Sequence, residues 1–118
     1  QLIQGLLPAL KASAAAGNDP FILTISGVVA ESPMAGLAAY SSSKAALYSF
    51  TQAISRELRR DGIRVIDARP GHTETGLAGR AIGGTAPAFP TGMSAEQVAD
   101  RIVKAIVEDE KDLPSSAF

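Results

Sequence analysis

The spacing of apolar residues predicts three helices and two strands. The first helix is predicted from apolar positions at helical spacing: Leu2, Ile3, Leu6, Leu7 and Leu10. The pattern then changes at FILTIS, residues 21–26, an apolar run rich in β-branched and aromatic residues and flanked by turn residues. Such a run is typical of a strand that is buried on both faces.

The longest predicted helix spans residues 37–60, which contain neither glycine nor proline and carry an apolar stripe. Gly62 follows as a residue suited to reverse the chain after a helix. The sequence IRVIDARP, residues 63–70, then predicts a second strand.

A strand, a helix and a second strand in this order favour a parallel crossover unit. Both strands should therefore end at the same edge of the sheet, which brings together residues 26–32 and residues 70–75. This is the edge at which open α/β sheets bind ligands. The sequence thus predicts an α/β fold with a doubly wound parallel sheet and a candidate site at the carboxyl ends of its strands.

The last third of the chain contains a predicted loop and a predicted helix. Residues 76–92 are rich in glycine and proline and show no periodicity, and long loops of this kind are often functional. Ser94 and Gln97 form a capping-box pattern ahead of an amphipathic stretch. We therefore expect a helix that begins directly after Ser94.

Composition narrows the function classes. With 46% hydrophobic and 19% charged residues, the 118-residue chain is predicted to form one globular domain. A net charge of −1 provides no broad positive field, so we expect neither nucleic acid nor a membrane as partner. There is no cysteine and the only histidine is His72, so we expect no metal site. These features fit a reducing compartment, and we predict a cytoplasmic protein.

The long predicted helix carries a pair of residues with chemical potential, Tyr40 and Lys44. Residues four apart share one helix face, so their side chains can serve one site. A phenol is normally too weakly acidic to exchange protons at neutral pH, and a nearby cation stabilises its ionised form. The same spacing also occurs in helices where the lysine is exposed and the tyrosine half-buried, so the pair alone does not establish a site.

The motifs around this pair strengthen the functional interpretation. ILTISG at 22–27, YSSSK at 40–44 and ARPGHTETGL at 68–77 occur in one order and at characteristic intervals. Together they resemble the second half of a short-chain dehydrogenase/reductase. The resemblance implies a Rossmann-type sheet and an NAD(P)-dependent oxidoreductase that interconverts an alcohol and a carbonyl.

The resemblance also implies roles for individual residues. Tyr40 matches the general acid/base of the family, and Lys44 matches the lysine that binds the nicotinamide ribose and assists the tyrosine. Pro70 and Gly71 match the turn beside the nicotinamide. The cofactor would be NAD or NADP, and the substrate a small alcohol or carbonyl compound.

Two threonines complete the cofactor residues that the resemblance implies. Thr75 takes the place of the family threonine near the cofactor carboxamide and pyrophosphate, while Thr73 would offer its backbone.

The candidate serine departs from the family pattern. In most members the catalytic serine precedes the tyrosine by thirteen residues, and that place is occupied here by Gly27. Ser26 lies one residue earlier and is our candidate for holding the substrate oxygen; Ser32 is a weaker one. If neither serine acts, the chain would be a non-catalytic binding or scaffold protein of the same fold.

The residues of the family's first half have no counterpart in this sequence. The glycine-rich phosphate turn would precede Gln1, and the chain begins without methionine. We therefore expect residues 1–118 to be the C-terminal part of a single NAD(P)-binding domain, a fragment that is inactive alone. We also expect a homo-oligomer formed through the long helices, and an assembly module is a third possible function.

Four further residues are predicted to be structural. Asp67 and Arg69 alternate within the second strand and are expected to pair with a neighbouring helix. Tyr48 is assigned to the core or an interface, and His72 to a loop, as a surface or hydrogen-bonded residue.

Overall fold

The computed structural model describes all 118 residues and contains three helices and four strands. The helices are α1 (Leu2–Ala15), α2 (Ala38–Leu58) and α3 (Ala95–Val107). The strands are β1 (Phe21–Ile25), β2 (Arg64–Ala68), β3 (Thr73–Glu74) and β4 (Met93–Ser94).

Strands β1 and β2 are parallel and in register from Phe21 opposite Arg64 to Ile25 opposite Ala68. Their carboxyl ends stay joined beyond the strands. The backbone N–H groups of Ser26 and Gly27 both donate to the Ala68 carbonyl, at 3.1 and 3.2 Å. The predicted parallel pair with a shared carboxyl edge is confirmed.

Helices cover both faces of this sheet. Because side chains alternate along a strand, Val65 faces α1 and α2, whereas Ile66 faces α3 and the C-terminal residues. The first cluster contains Ile54 and Leu58 of α2. The second contains Ala105 of α3. The doubly wound arrangement is thus present in partial form, as predicted.

Strand β1 is less buried than its sequence suggested. The prediction was a strand buried on both faces, yet Phe21 and Ile25 are exposed and the three residues between them are only partly buried. The physical reason is that β1 pairs with β2 alone, so its other edge has no neighbouring strand. An apolar run indicates that a strand is suited to burial. Whether the strand is buried depends on the elements that pack beside it.

The ends of the helices follow the predicted signals. Helix α2 leads into a 3-10 turn at Arg59–Asp61, and Gly62 adopts φ +72° to reverse the chain. The Ser94 side chain accepts a hydrogen bond from the Gln97 N–H, and the Gln97 side chain accepts one from the Ser94 N–H. The capping box is confirmed.

The glycine-rich loop is closed at its base by a short parallel pair. Thr73 pairs with Met93 and Glu74 with Ser94, while a 3-10 turn at Leu77–Gly79 is the regular structure within the loop. The C-terminal residues return to the sheet, where Leu113 forms a parallel bridge with Ala68. None of the helices has the length and apolar character required to cross a bilayer.

Candidate active site at the carboxyl edge of the sheet

Tyr40 and Lys44 occupy the first two turns of α2 and share one face of the helix. The Lys44 ammonium lies 5.8 Å from the centre of the Tyr40 ring. It also donates a hydrogen bond of 2.9 Å to the Ile25 carbonyl at the end of β1. Tyr40 is 45% exposed. The fold therefore places this pair beside the carboxyl end of β1.

Gly27 and Ser26 form the tip of β1. Gly27 has φ +82° and ψ 165°, a backbone conformation that is essentially restricted to glycine. The Ser26 side chain is fully buried, and its hydroxyl donates to Asp67 Oδ2 at 2.5 Å. Ser26 therefore lies on the α2 face of the sheet, with its hydroxyl turned toward Asp67 of β2. Ser32, the weaker candidate, is exposed.

The predicted cofactor residues follow β2 directly. Pro70 is buried, and its carbonyl accepts a hydrogen bond of 2.9 Å from the Val28 N–H, which joins the two strand tips. Gly71 is exposed, and a side chain built there would meet no atom within 4 Å. The Thr73 hydroxyl donates to the Gly71 carbonyl at 3.2 Å, and Thr75 is exposed. The structure thus brings Pro70, Gly71 and the tip of β1 to one edge.

The nicotinamide end of a dinucleotide would fit these residues. The open space at Gly71 allows a flat ring to approach the backbone, and the Lys44 ammonium can donate to hydroxyl groups. No glycine-rich phosphate turn that precedes a helix occurs among residues 1–118. Residues 1–118 therefore fit the nicotinamide end of a dinucleotide but do not supply the glycine-rich turn for its phosphates.

A buried polar network lies beneath the strand tips. Asp67 accepts hydrogen bonds from Thr24 at 2.5 Å, from Ser26, and from Arg69 at 3.0 Å. The Arg69 guanidinium lies 4.3 Å from the centre of the Tyr48 ring on α2. Arg69 therefore contacts a helix, as predicted, whereas the partners of Asp67 lie on β1 and directly after the two strands.

Sequence reasoning missed the remaining members of this network. Arg69 donates to Glu31 and makes a two-point contact with Asp112, and Ser115 donates to Glu31 through both its N–H and its hydroxyl. Burial opposes ionisation of Glu31, but the hydrogen bonds from Ser115 and Arg69 leave the pKa of Glu31 below its usual value. These partners are 38 to 84 positions apart in sequence, and no local pattern marks them.

His72 lies at the base of the glycine-rich loop. Its ring stacks on Phe89 with centroids 4.8 Å apart, and its Nε2 lies 3.2 Å from Glu74 Oε1. The same Glu74 oxygen accepts a hydrogen bond of 2.9 Å from the Gly92 N–H. His72 is therefore half-buried in a contact that closes the loop.

A partial parallel sheet with helices on both faces defines a Rossmann-type α/β protein. The family described as short chain dehydrogenase matches residues 1–86, which is most of the chain. The chain therefore belongs to the short-chain dehydrogenase family, as its motifs indicated.

The chain is similar to several curated proteins. A dehydrogenase/reductase SDR family protein 7-like from Anopheles gambiae is 32% identical over 95% of this chain and 36% of its own length. The ipsdienol dehydrogenase of Ips pini is 37% identical over 57% of this chain and 26% of its own length. The chain thus spans about a third of the length of these relatives or less.

Solved structures share the fold. A 3-ketoacyl-(acyl-carrier-protein) reductase from Brucella melitensis, complexed with NADH, superposes with a TM-score of 0.78 at 22% identity. That comparison covers 98% of this chain and 51% of the other. A short chain dehydrogenase from Burkholderia cenocepacia, in complex with NADP, gives 0.76 at 23% identity, with 95% and 42% covered. The architecture of residues 1–118 is thus that of part of these larger chains.

Proposed function

We propose that this chain carries the proton-transfer residues of an NAD(P)-dependent oxidoreductase that interconverts an alcohol and a carbonyl compound. The observation that supports this most directly is the position of Tyr40 and Lys44 on one face of α2, with the ammonium bound to the end of β1. A bound nicotinamide cofactor would supply or accept the hydride.

Tyr40 would give a proton to the substrate oxygen, or take one from it. Its side chain is partly exposed and can reach a small molecule at the sheet edge. The nearby positive charge of Lys44 stabilises the negative charge that remains on the phenolic oxygen after proton transfer. For Ser26, a contact with the substrate oxygen would require its hydroxyl to turn away from Asp67.

The cofactor, NAD or NADP, would lie along the strand tips. Lys44 would donate to the ribose hydroxyls, and Pro70 and Gly71 would border the nicotinamide. Thr73 and Thr75 would lie toward the carboxamide and pyrophosphate. The exposed backbone at Gly71 supports this placement.

The proposal extends to the organisation of the protein. Residues 1–118 would form the C-terminal part of one dinucleotide-binding domain and would be inactive alone, because the pyrophosphate needs a glycine-rich turn. Phe50 of α2 and Leu2 of α1 are exposed, which supports self-association through these helices. A cytoplasmic location and small-molecule substrates belong to the same proposal.

The test is turnover of a panel of alcohols and ketones by the intact protein that contains this chain. We expect Tyr40→Phe to lower kcat by roughly 100-fold to 10,000-fold, because the phenolic proton is lost while the ring remains. The matched control is Tyr48→Phe, since no hydrogen bond of the site uses the Tyr48 hydroxyl. Equal turnover by Tyr40→Phe and the wild type would refute the assignment.

The tip of β1 favours a second function, a non-catalytic binding protein of the same fold. Gly27 offers no hydroxyl, and the hydroxyl of Ser26 is bound to Asp67, so neither residue at the tip of β1 presents a free hydroxyl to polarise a carbonyl. Such a protein would change the fluorescence of a reduced nicotinamide on binding yet turn over no substrate in the panel. Measurable turnover by the wild type would exclude this function.

A further inference from the structure

Arg69 is the centre of the buried polar network and lies directly before Pro70 and Gly71. Its side chain is only 3% exposed. The guanidinium donates to Asp67, to both carboxylate oxygens of Asp112 and to Glu31. One guanidinium group therefore contacts three carboxylates.

Glu31 connects this cation to the segment between β1 and α2, residues 27–37. It follows a 3-10 turn at Val28–Ala30, and its carboxylate also accepts two hydrogen bonds from Ser115. The segment begins at Gly27 and leads into the turn of α2 that carries Tyr40. A shift of Glu31 would therefore move residues 27–37, which lead into the turn that carries Tyr40, the proposed acid/base.

The buried polar network contacts both the tip of β1 and helix α2 at the edge where the candidate site lies. Asp67 binds Ser26 at the tip of β1, and Arg69 lies under Tyr48, one turn along α2 from Lys44. A buried ion pair is weak evidence for a gain in stability, because apolar residues of similar size often stabilise a core equally well. Its geometric requirements are strict, which makes it suited to fixing relative positions.

We propose that Arg69 and Glu31 are positioning residues, which hold residues 27–37 against the end of β2 so that Tyr40 meets the substrate in a productive geometry. Two C-terminal residues also take part. Asp112 binds Arg69, and Ser115 binds Glu31. This inference rests on the proposed oxidoreductase function. Neither Arg69 nor Glu31 touches substrate; both act through the segment that they hold.

The arginine at the start of β2 provides a matched control for Arg69, which directly follows the strand. Arg64 lies at the opposite end of the strand and binds Asp19 through two nitrogens, at 3.0 and 2.7 Å, and Asp109 at 3.1 Å. It has the same chemistry as Arg69 but contacts no residue of the strand tips. The pairs to compare are therefore Glu31→Gln with Asp109→Asn, and Arg69→Lys with Arg64→Lys.

The experiment measures kcat and KM in the intact protein, together with amide hydrogen exchange of residues 27–37. Glu31→Gln keeps the shape of the side chain and one oxygen to accept from Ser115, but weakens its charged contact with Arg69. We expect kcat to fall about 10-fold to 100-fold, with the cofactor KM changed less than about twofold, because misplacement affects the reacting geometry first. The amides of Ala30, Glu31 and Ser32, which are bonded within their turn, should exchange faster.

The controls decide between positioning and general stability. Asp109→Asn and Arg64→Lys should leave kcat and the exchange of residues 27–37 near wild type, even if they lower the melting temperature. An equal fall in kcat in both members of a pair, or unchanged kcat and exchange in Glu31→Gln, would overturn the proposal. If Arg69→Lys does not fold, the comparison of Glu31→Gln with Asp109→Asn decides between positioning and general stability. If the wild type has no turnover, the proposed function fails, and the exchange data alone show whether Glu31 holds the segment.

Discussion

Gly27 shows how one residue limits what the site can become. It precedes Tyr40 by thirteen residues, the spacing expected of the family's catalytic serine, and its φ of +82° with ψ of 165° suits glycine alone. Its N–H shares the Ala68 carbonyl with that of Ser26, and the next N–H is bound to the Pro70 carbonyl, so the backbone has little freedom to change. A serine introduced here would have to strain this backbone.

We therefore expect Gly27→Ser to lower the free energy of unfolding by about 1–3 kcal/mol instead of restoring a serine site. Gly79→Ser is the control, because Gly79 has no positive φ and its surroundings are open. Chemical denaturation of both variants measures the effect. Equal stability of the two would mean that position 27 can adopt an ordinary backbone conformation.

At the level of elements, α3 and the glycine-rich loop depend on the same residue. Ser94 ends β4 and also caps α3, so the hydrogen bonds that begin the helix fix the end of the loop as well. The N-terminal N–H groups of a helix have no partners within it, which is why a serine at this position is stabilising.

Ser94→Ala should cost about 1 kcal/mol of unfolding free energy, since the Gln97 N–H loses its acceptor. Ser116→Ala, at an exposed position near the C-terminus, should change the stability by less than about 0.5 kcal/mol. Thermal or urea unfolding distinguishes the two variants. A loss for Ser94→Ala no larger than that for Ser116→Ala would contradict the cap.

At the scale of the whole molecule, the C-terminal segment joins parts that are distant in sequence. The Leu113 N–H donates to the Asp67 carbonyl and the Leu113 carbonyl accepts from the Arg69 N–H, which extends the sheet beyond β2. Ser115 then reaches Glu31, on the far side of the strand tips. At this edge the C-terminal segment is therefore bonded both to β2 and to Glu31.

This arrangement predicts loss of stability in acid. The pKa of Glu31 lies below its ordinary value of 4.5, despite burial, because Ser115 and Arg69 bind the carboxylate. An acid with a lowered pKa in the folded state adds stability that is complete above the unfolded value and is lost as pH falls through the folded value. Unfolding free energy should therefore decline below about pH 4.5.

Glu31→Gln should decline less steeply with acid over this range than the wild type, because the substituted amide does not titrate. Thermal unfolding between pH 3 and 7 measures the slopes. Parallel curves for the two proteins would show that Glu31 does not contribute to the acid sensitivity.

The prediction of local elements succeeded where the signal lies in neighbouring residues. The periodicity before Gly62 located α2 within a few residues, Ser94 with Gln97 marked the start of α3, and Tyr40 with Lys44 indicated the family together with its other motifs. Each of these signals depends on residues a few positions apart, over which backbone geometry is regular. The same signals overstated the burial of β1, because burial depends on which strands lie beside it.

Long-range contacts could not be obtained in this way. Ser26 has the residue type expected of a substrate contact, but the direction of its hydroxyl depends on Asp67, 41 positions later. Glu31 has no distinguishing pattern, and its pairing with Arg69 arises because two strand tips and the C-terminal segment converge. Residue order specified the elements and the chemistry available on α2, because both are local properties. Which of those groups face one another followed from packing, because a buried charge must find its partners wherever the folded chain brings them.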